Sequence, residues 1–88
     1  MDFQTQPTPN PNSLKIVRAD GGPMLASGMV SATSFVEAAT HPLAAALFAV
    51  DGVTGVFALP DFVTITKRPD AAWNALLPGV EAALREVL

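Results

Sequence analysis

Alternating apolar and polar positions single out two stretches of this 88-residue chain. The longer covers residues 52–67, GVTGVFALPDFVTITK, which is rich in β-branched and aromatic residues and broken only at Pro60-Asp61. This pattern predicts a β-hairpin. Proline holds φ at about −65°, whereas a type I′ or II′ loop needs a positive φ at its first central residue, so a loop longer than two residues is expected. With a three-residue loop over 60–62, Leu59 opposes Val63 and Phe57 opposes Ile65. Four large apolar side chains then share the core face, and Thr64 and Thr66 point away from it. The second stretch is Ser13–Arg18, where Leu14 and Ile16 alternate with Lys15 and Val17 as in a half-buried strand.

The remaining elements follow from turn and cap signals. Residues 1–12 are polar and carry Pro7, Pro9 and Pro11, each lacking a backbone donor and biasing its predecessor to extended geometry, which predicts an extended, non-helical arm. Asp20-Gly21-Gly22-Pro23 ends the first strand, and a less regular strand is expected within residues 24–34. Pro42 suits the first position of a helix, with His41 or Thr40 at or before the cap. Leu43, Leu47 and Val50 form its apolar stripe, and Gly52 suits the left-handed residue that closes it. Near the C-terminus, Trp73, Leu76, Leu77, Val80, Leu84, Val87 and Leu88 keep a helical period. Pro78 within this run predicts either a short turn over 71–77 followed by a new helix, or one helix kinked there. The predicted order is ββαββα. This is an α+β fold, a single antiparallel sheet with two helices on one face, forming one domain over residues 1–88.

Composition narrows the function. Half of the residues are hydrophobic and 15% are charged, which suits a compact fold rather than a disordered one. The formal charge is −3, and the five basic residues, Lys15, Arg18, Lys67, Arg68 and Arg85, are scattered. No nucleic-acid surface is expected from them. The chain holds no cysteine and one histidine. It therefore offers no disulfide, no thiol nucleophile, no cysteine-ligated zinc and no cluster ligands of its own. The N-terminus has no positive region followed by an apolar core, and the apolar run over 43–50 is far shorter than a bilayer, so a soluble, cytoplasmic protein without membrane association is expected.

Candidate chemistry is sparse. His41 has no nucleophile paired with it and reads as a helix-start residue. Asp51, Asp61 and Asp70 could be assembled into a carboxylate cluster, but all three fall at turns or caps, where short polar side chains serve the backbone. Met24 and Met29 read as core filling, Trp73 as a core or half-buried anchor, and Lys67-Arg68 as a solvated strand end. No catalytic, cofactor-binding or metal-binding residue is assigned, and no enzyme is expected.

Several motifs do carry a resemblance. Thr8-Pro9-Asn10-Pro11-Asn12 followed by Leu14-Lys15 resembles the TPNPNxLK opening of the N-terminal domain of Nfu-type iron–sulfur cluster scaffold proteins. His41-Pro42-Leu43-Ala44, Leu47-Phe48 and Gly52-Val53 are similar to that family's SPLA, LF and GV series, with His41 where serine is usual. Val56-Phe57, the run Asp61-Phe62-Val63-Thr64-Ile65-Thr66-Lys67, and Trp73 with Leu76, Leu77 and Pro78 resemble its VFF, DFITVTK and WxxLKP signatures. The resemblance implies a ββαββα domain associated with iron–sulfur cluster assembly. In that family a separate C-terminal domain bears the Cys-x-x-Cys motif that holds the cluster, and this chain is expected to be a stand-alone domain without it. What carries over is the fold and a protein-binding role, as an adaptor for a cluster carrier or an apo-target. The alternative is a self-associating or regulatory interaction module outside iron–sulfur maturation. Asn10, Pro11 and Asn12 are the candidate partner-binding residues. Prolines keep such a loop extended at small entropic cost, and the asparagines offer donors and acceptors. The same asparagines could instead bond backbone groups and lock the arm onto the sheet. Neither the partner's identity nor the oligomeric state is legible.

Overall fold

A computed structural model describes residues 3–25 and 28–87; Leu88, the last position of the predicted apolar stripe, lies outside them. The elements run β1 (Phe3–Pro7), β2 (Ser13–Arg18), β3 (Val30–Ala32), α1 (Phe35–Ala38), α2 (Pro42–Phe48), β4 (Val53–Leu59), β5 (Phe62–Lys67) and α3 (Trp73–Val87). All strand pairs are antiparallel and form one sheet in the order β1-β2-β5-β4-β3. The α+β class and the single sheet with helices over one face are as predicted. Two elements are additional. The expected arm begins with strand β1, which pairs with β2 from Phe3↔Arg18 to Pro7↔Leu14. Its first proline stands at the end of an edge strand, where no ladder donor is required. The one-turn helix α1 precedes α2. Ser34 Oγ accepts the Glu37 N–H at 3.3 Å, and the Glu37 carboxylate takes Thr33 N–H at 3.2 Å and Thr33 Oγ1 at 2.8 Å. This is a variant of the capping box in which the Glu37 side chain reaches the residue before the N-cap.

Helix α2 begins where the cap signal placed it. His41 is extended, and its Nδ1 accepts the Leu43 N–H at 3.2 Å. Beyond the helix, Gly52 has φ 102°, and a Cβ there would lie 2.8 Å from Leu76 Cδ2. Glycine is thus needed both for the turn and for the close approach of α3. Of the two alternatives at Pro78, the structure takes the single helix, α3, which runs through the proline.

The central hairpin departs from the predicted register. Leu59 pairs with Phe62, Ala58 with Val63, Phe57 with Thr64 and Val56 with Ile65, so the loop is the two-residue Pro60-Asp61 turn. Val56, Ala58, Val63 and Ile65 face the helices, while Phe57 is 37% exposed on the opposite face. Pro60 does exclude the primed turns. No described residue other than glycine has a positive φ, which also rules out type II; an unprimed turn such as type I, where proline is favoured at the first central position, fits the two-residue loop. The predicted loop length omitted that unprimed closure. Near the start of β4 the register shifts between Val53 and Gly55, so Val53 pairs with Lys67 on the inner face.

The core lies between the inner face and the helices. Ile16, Val63, Ile65 and Ala58 from the sheet meet Leu43, Leu47 and Phe48 from α2 and Val80 and Leu84 from α3. The irregular strand expected over 24–34 shrinks to β3. Met24 leaves the sheet altogether: it is fully buried in the core, and its N–H donates to Pro60 O at 2.9 Å. Met29, expected in the core, is 64% exposed. No helix among the described residues is long and apolar enough to cross a membrane.

Candidate partner-binding site at the N-terminal arm

The loop between β1 and β2 is ordered by its own polar side chains. Thr8 Oγ1 lies 2.8 Å from the Asn10 carbonyl and 3.0 Å from the Ser13 carbonyl, sharing one proton between them, and accepts the Asn10 N–H at 3.2 Å. Asn10 Oδ1 accepts the Asn12 N–H at 2.9 Å, an Asx turn. The loop is then tied to the rest of the molecule at three points. Lys67 Nζ donates to Asn12 Oδ1 at 3.0 Å, Lys67 N–H donates to the Asn12 carbonyl at 2.8 Å, and Trp73 Nε1 donates to the Pro11 carbonyl at 3.1 Å.

These bonds fix what the asparagines present. An N–H or ammonium donor must meet an oxygen, so both side-chain amides are oriented with Oδ1 inward. Asn10 is exposed and Asn12 half-buried. Their NH₂ groups make no hydrogen bond among the described residues, so the acceptors serve the fold while the donors stay available. Exposed Pro11 stands between them. The two readings of the arm, lock and contact surface, therefore belong to different atoms of the same side chains.

Lys67 is the residue that sequence reasoning placed wrongly. It is 8% exposed rather than a solvated strand end, and it lies with Val63 and Ile65 on the inner face. Its ammonium also donates to the Arg68 carbonyl at 3.3 Å and stands 5.8 Å from the centre of the Trp73 ring. The period-two parity of β5 was the available signal. Trp73 is half-buried, as expected, and supplies the roof of this cluster.

The other candidates disperse. Asp51 and Asp70 flank Arg68 at 3.5 and 3.4 Å, on the rim of a cavity of about 460 Å³ between the end of α2 and the first turns of α3. Asp61 sits in the turn at the far end of the same hairpin, so the three carboxylates do not converge. His41 spends its Nδ1 on the helix cap.

A small α+β domain with a polar, proline-rich arm locked under a tryptophan is thus the class the geometry defines. The chain belongs to the scaffold protein Nfu/NifU N-terminal family, whose model matches residues 3–88. It is 42% identical to NifU-like protein 5, mitochondrial, of Arabidopsis thaliana, a match covering 98% of this chain and 30% of that protein. Against the human NFU1 iron-sulfur cluster scaffold homolog, mitochondrial, identity is 41%, covering 98% of this chain and 34% of the relative. The chain therefore spans about a third of the length of these curated relatives. Among solved structures, a NifU-like protein from Saccharomyces cerevisiae superposes with a TM-score of 0.77 at 28% identity, covering 97% of this chain and 76% of that one. A Staphylococcus aureus protein superposes with a TM-score of 0.74 at 28% identity, covering 94% and 98%.

Proposed function

We propose that this domain is a non-enzymatic adaptor in iron–sulfur cluster assembly or delivery, which binds a cluster carrier or an apo-target through its arm and leaves cluster ligation to cysteines elsewhere. The observation that carries the reading is membership of a scaffold family by 88 residues that hold no thiolate. Cluster iron is normally held by cysteine, with histidine as an occasional substitute. Here the single imidazole already caps a helix through Nδ1, and carboxylates are hard donors poorly matched to a thiolate-preferring centre. The outward NH₂ groups of Asn10 and Asn12 are the donors a partner's carbonyls or carboxylates would meet. A cytoplasmic setting is part of the proposal; the plant and human relatives above carry the word mitochondrial in their names.

Two measurements test it. Anaerobic reconstitution with iron and sulfide, followed by desalting, is expected to leave no cluster absorbance and no stoichiometric iron; a stable chromophore with matching iron and sulfide would overturn the non-ligating role. The second measurement separates the two functions of the asparagines. Asn10→Asp with Asn12→Asp keeps both Oδ acceptors and removes both NH₂ donors. Calorimetric titration against a cysteine-bearing scaffold protein of the same host should show unchanged folding and an affinity lower by about tenfold or more, as expected for two lost hydrogen bonds. Full affinity in this variant makes the arm purely structural.

A further inference from the structure

The face of the sheet turned away from the helices is built to different rules from the core face. Register places Gln6, Lys15, Thr64, Phe57 and Ser31 in one row across it, and Val17, Phe62 and Leu59 alongside. Phe57 and Phe62 are diagonal neighbours with ring centres 6.4 Å apart and planes tilted by 55°. Lys15 Nζ stands over the Phe62 ring, 4.6 Å from its centre. An aromatic pair capped by a cation forms the middle of this face, with Thr64, Val17 and Leu59 beside it and neutral Gln6 and Ser31 at the edges.

Charge is distributed to match. None of the five strands contains an aspartate or glutamate. Among the described residues, Glu37, Asp51, Asp70, Glu81 and Glu86 lie on the helices and their connections, Asp20 follows β2 and is paired with Arg18, and Asp61 lies in the hairpin turn. Lys15 takes part in no ion pair among the described residues. In a chain of net charge −3, the described strand positions of this face thus carry no carboxylate and include a cation standing on an aromatic ring. Such a cation is only partly compensated by the ring and still prefers an anion.

We propose that this outer face is a docking surface, distinct from the arm, for a partner protein segment that carries an aliphatic or aromatic side chain next to a carboxylate. The apolar group covers Phe57 and Phe62, and the carboxylate meets Lys15. Charge complementarity selects this occupant. An acidic segment is disfavoured by the helical side, where most of the described carboxylates lie, and meets Lys15 on the outer face. A two-fold pairing with a second copy would bring two Lys15 ammonium groups into one apolar seam with no carboxylate to separate them. Nucleic acid would find aromatic platforms but a single facing cation against a repeating phosphate charge.

Selection of a random peptide library on the immobilised full chain tests this directly. Enriched peptides are expected to share Asp or Glu beside Leu, Ile, Phe or Trp. A synthetic copy should shift the amide resonances of Lys15, Val17, Phe57, Phe62 and Thr64. Lys15→Glu should weaken it by about tenfold, and selection repeated on Lys15→Glu should replace the carboxylate by Lys or Arg. If that variant folds poorly, Lys15→Gln gives the same contrast without reversal. Absence of enrichment, an acid-free consensus, shifts confined to the helices or arm, or affinity indifferent to Lys15 would overturn the proposal. So would oligothymidylate saturating the same resonances where peptides do not, or a dimer in sedimentation equilibrium that Phe57→Ser abolishes, which would give the face to a second copy. Asn10→Asp with Asn12→Asp should leave peptide binding unchanged, so the outer face and the arm fail or succeed separately.

Discussion

On the inner face of the sheet Val56, Ala58, Val63 and Ile65 are 0–3% exposed, whereas on the outer face Leu59 and the larger Phe57 and Phe62 all keep contact with solvent. The same two strands supply both sets, one residue apart. Side-chain size therefore does not decide burial here; the helices do. Leu43, Leu47, Phe48 and the loop residue Met24 already fill the space above β4 and β5, and a side chain as small as that of Ala58 is what the remaining volume takes. The aromatic residues left outside are surplus to the core, so their replacement is expected to cost little stability.

The largest expected effect breaks this comparison at its centre. Ile65→Ala should cost about 2–5 kcal/mol, a large part of the roughly 5–15 kcal/mol typical of a domain, while Phe57→Ala on the other face should stay within about 1 kcal/mol. Urea denaturation of the two variants side by side measures this, and similar losses would mean that the outer face also holds the fold. A smaller contrast sets the two lysines against each other. Lys67→Met strands Asn12 Oδ1 and should cost about 1–3 kcal/mol, with faster amide exchange over residues 8–13. Lys15→Met should change stability by no more than about 0.5 kcal/mol.

The smallest effect concerns the charged margin of the inner face. Arg18 donates to Asp20 through Nε at 3.0 Å and Nη2 at 2.7 Å. This pairing, helped by the Gly22 N–H, holds the Asp20 carboxyl below its ordinary value. A depressed folded value means that the pairing supports the fold above the unfolded carboxylate range and is lost as pH falls through the folded value. Carboxyl NMR titration should show Asp20 ionising at lower pH than a free aspartate, and Arg18→Gln should return it towards the usual range. Because the group is exposed, thermal stability near neutral pH should change little.

These contrasts also show what could be read from residues. The cap at His41-Pro42, strand β2 and the motifs of the family are local signals, and each stands where the sequence places it, whereas α2 ends at Phe48 with Ala49 as its cap, and Gly52 turns the chain three residues further on instead of closing the helix. Strand β1 is masked by Pro7 and the prolines that follow it, since an extended arm and an edge strand share the same backbone preference and differ only in whether β2 is there to pair. Helix α1 was signalled by Ser34 and Glu37 but is too short for any hydrophobic period. The hairpin parity was missed because the largest apolar residues were assigned to the core, although an unprimed turn closes the loop just as well. At the arm, sequence pointed to Asn10, Pro11 and Asn12. Their bond partners Lys67 and Trp73 come from more than fifty positions away in the chain, a distance over which no local pattern reports.

The seam between β2 and β5 has a consequence for how the chain folds. The β1–β2 and β4–β5 hairpins each close over a few residues, but the pairs from Ser13↔Thr66 to Ile16↔Val63 join the two ends of the molecule. Loop closure is entropically cheapest for the hairpins and must be met in full before the seam yields any contact. The hairpins are therefore the cheapest units to close, and pairing β2 with β5 carries the larger loop-closure cost. The arm locks only after that seam is shut, because Asn12 and Lys67 adjoin its first rung, so an ordered arm reports a completed fold.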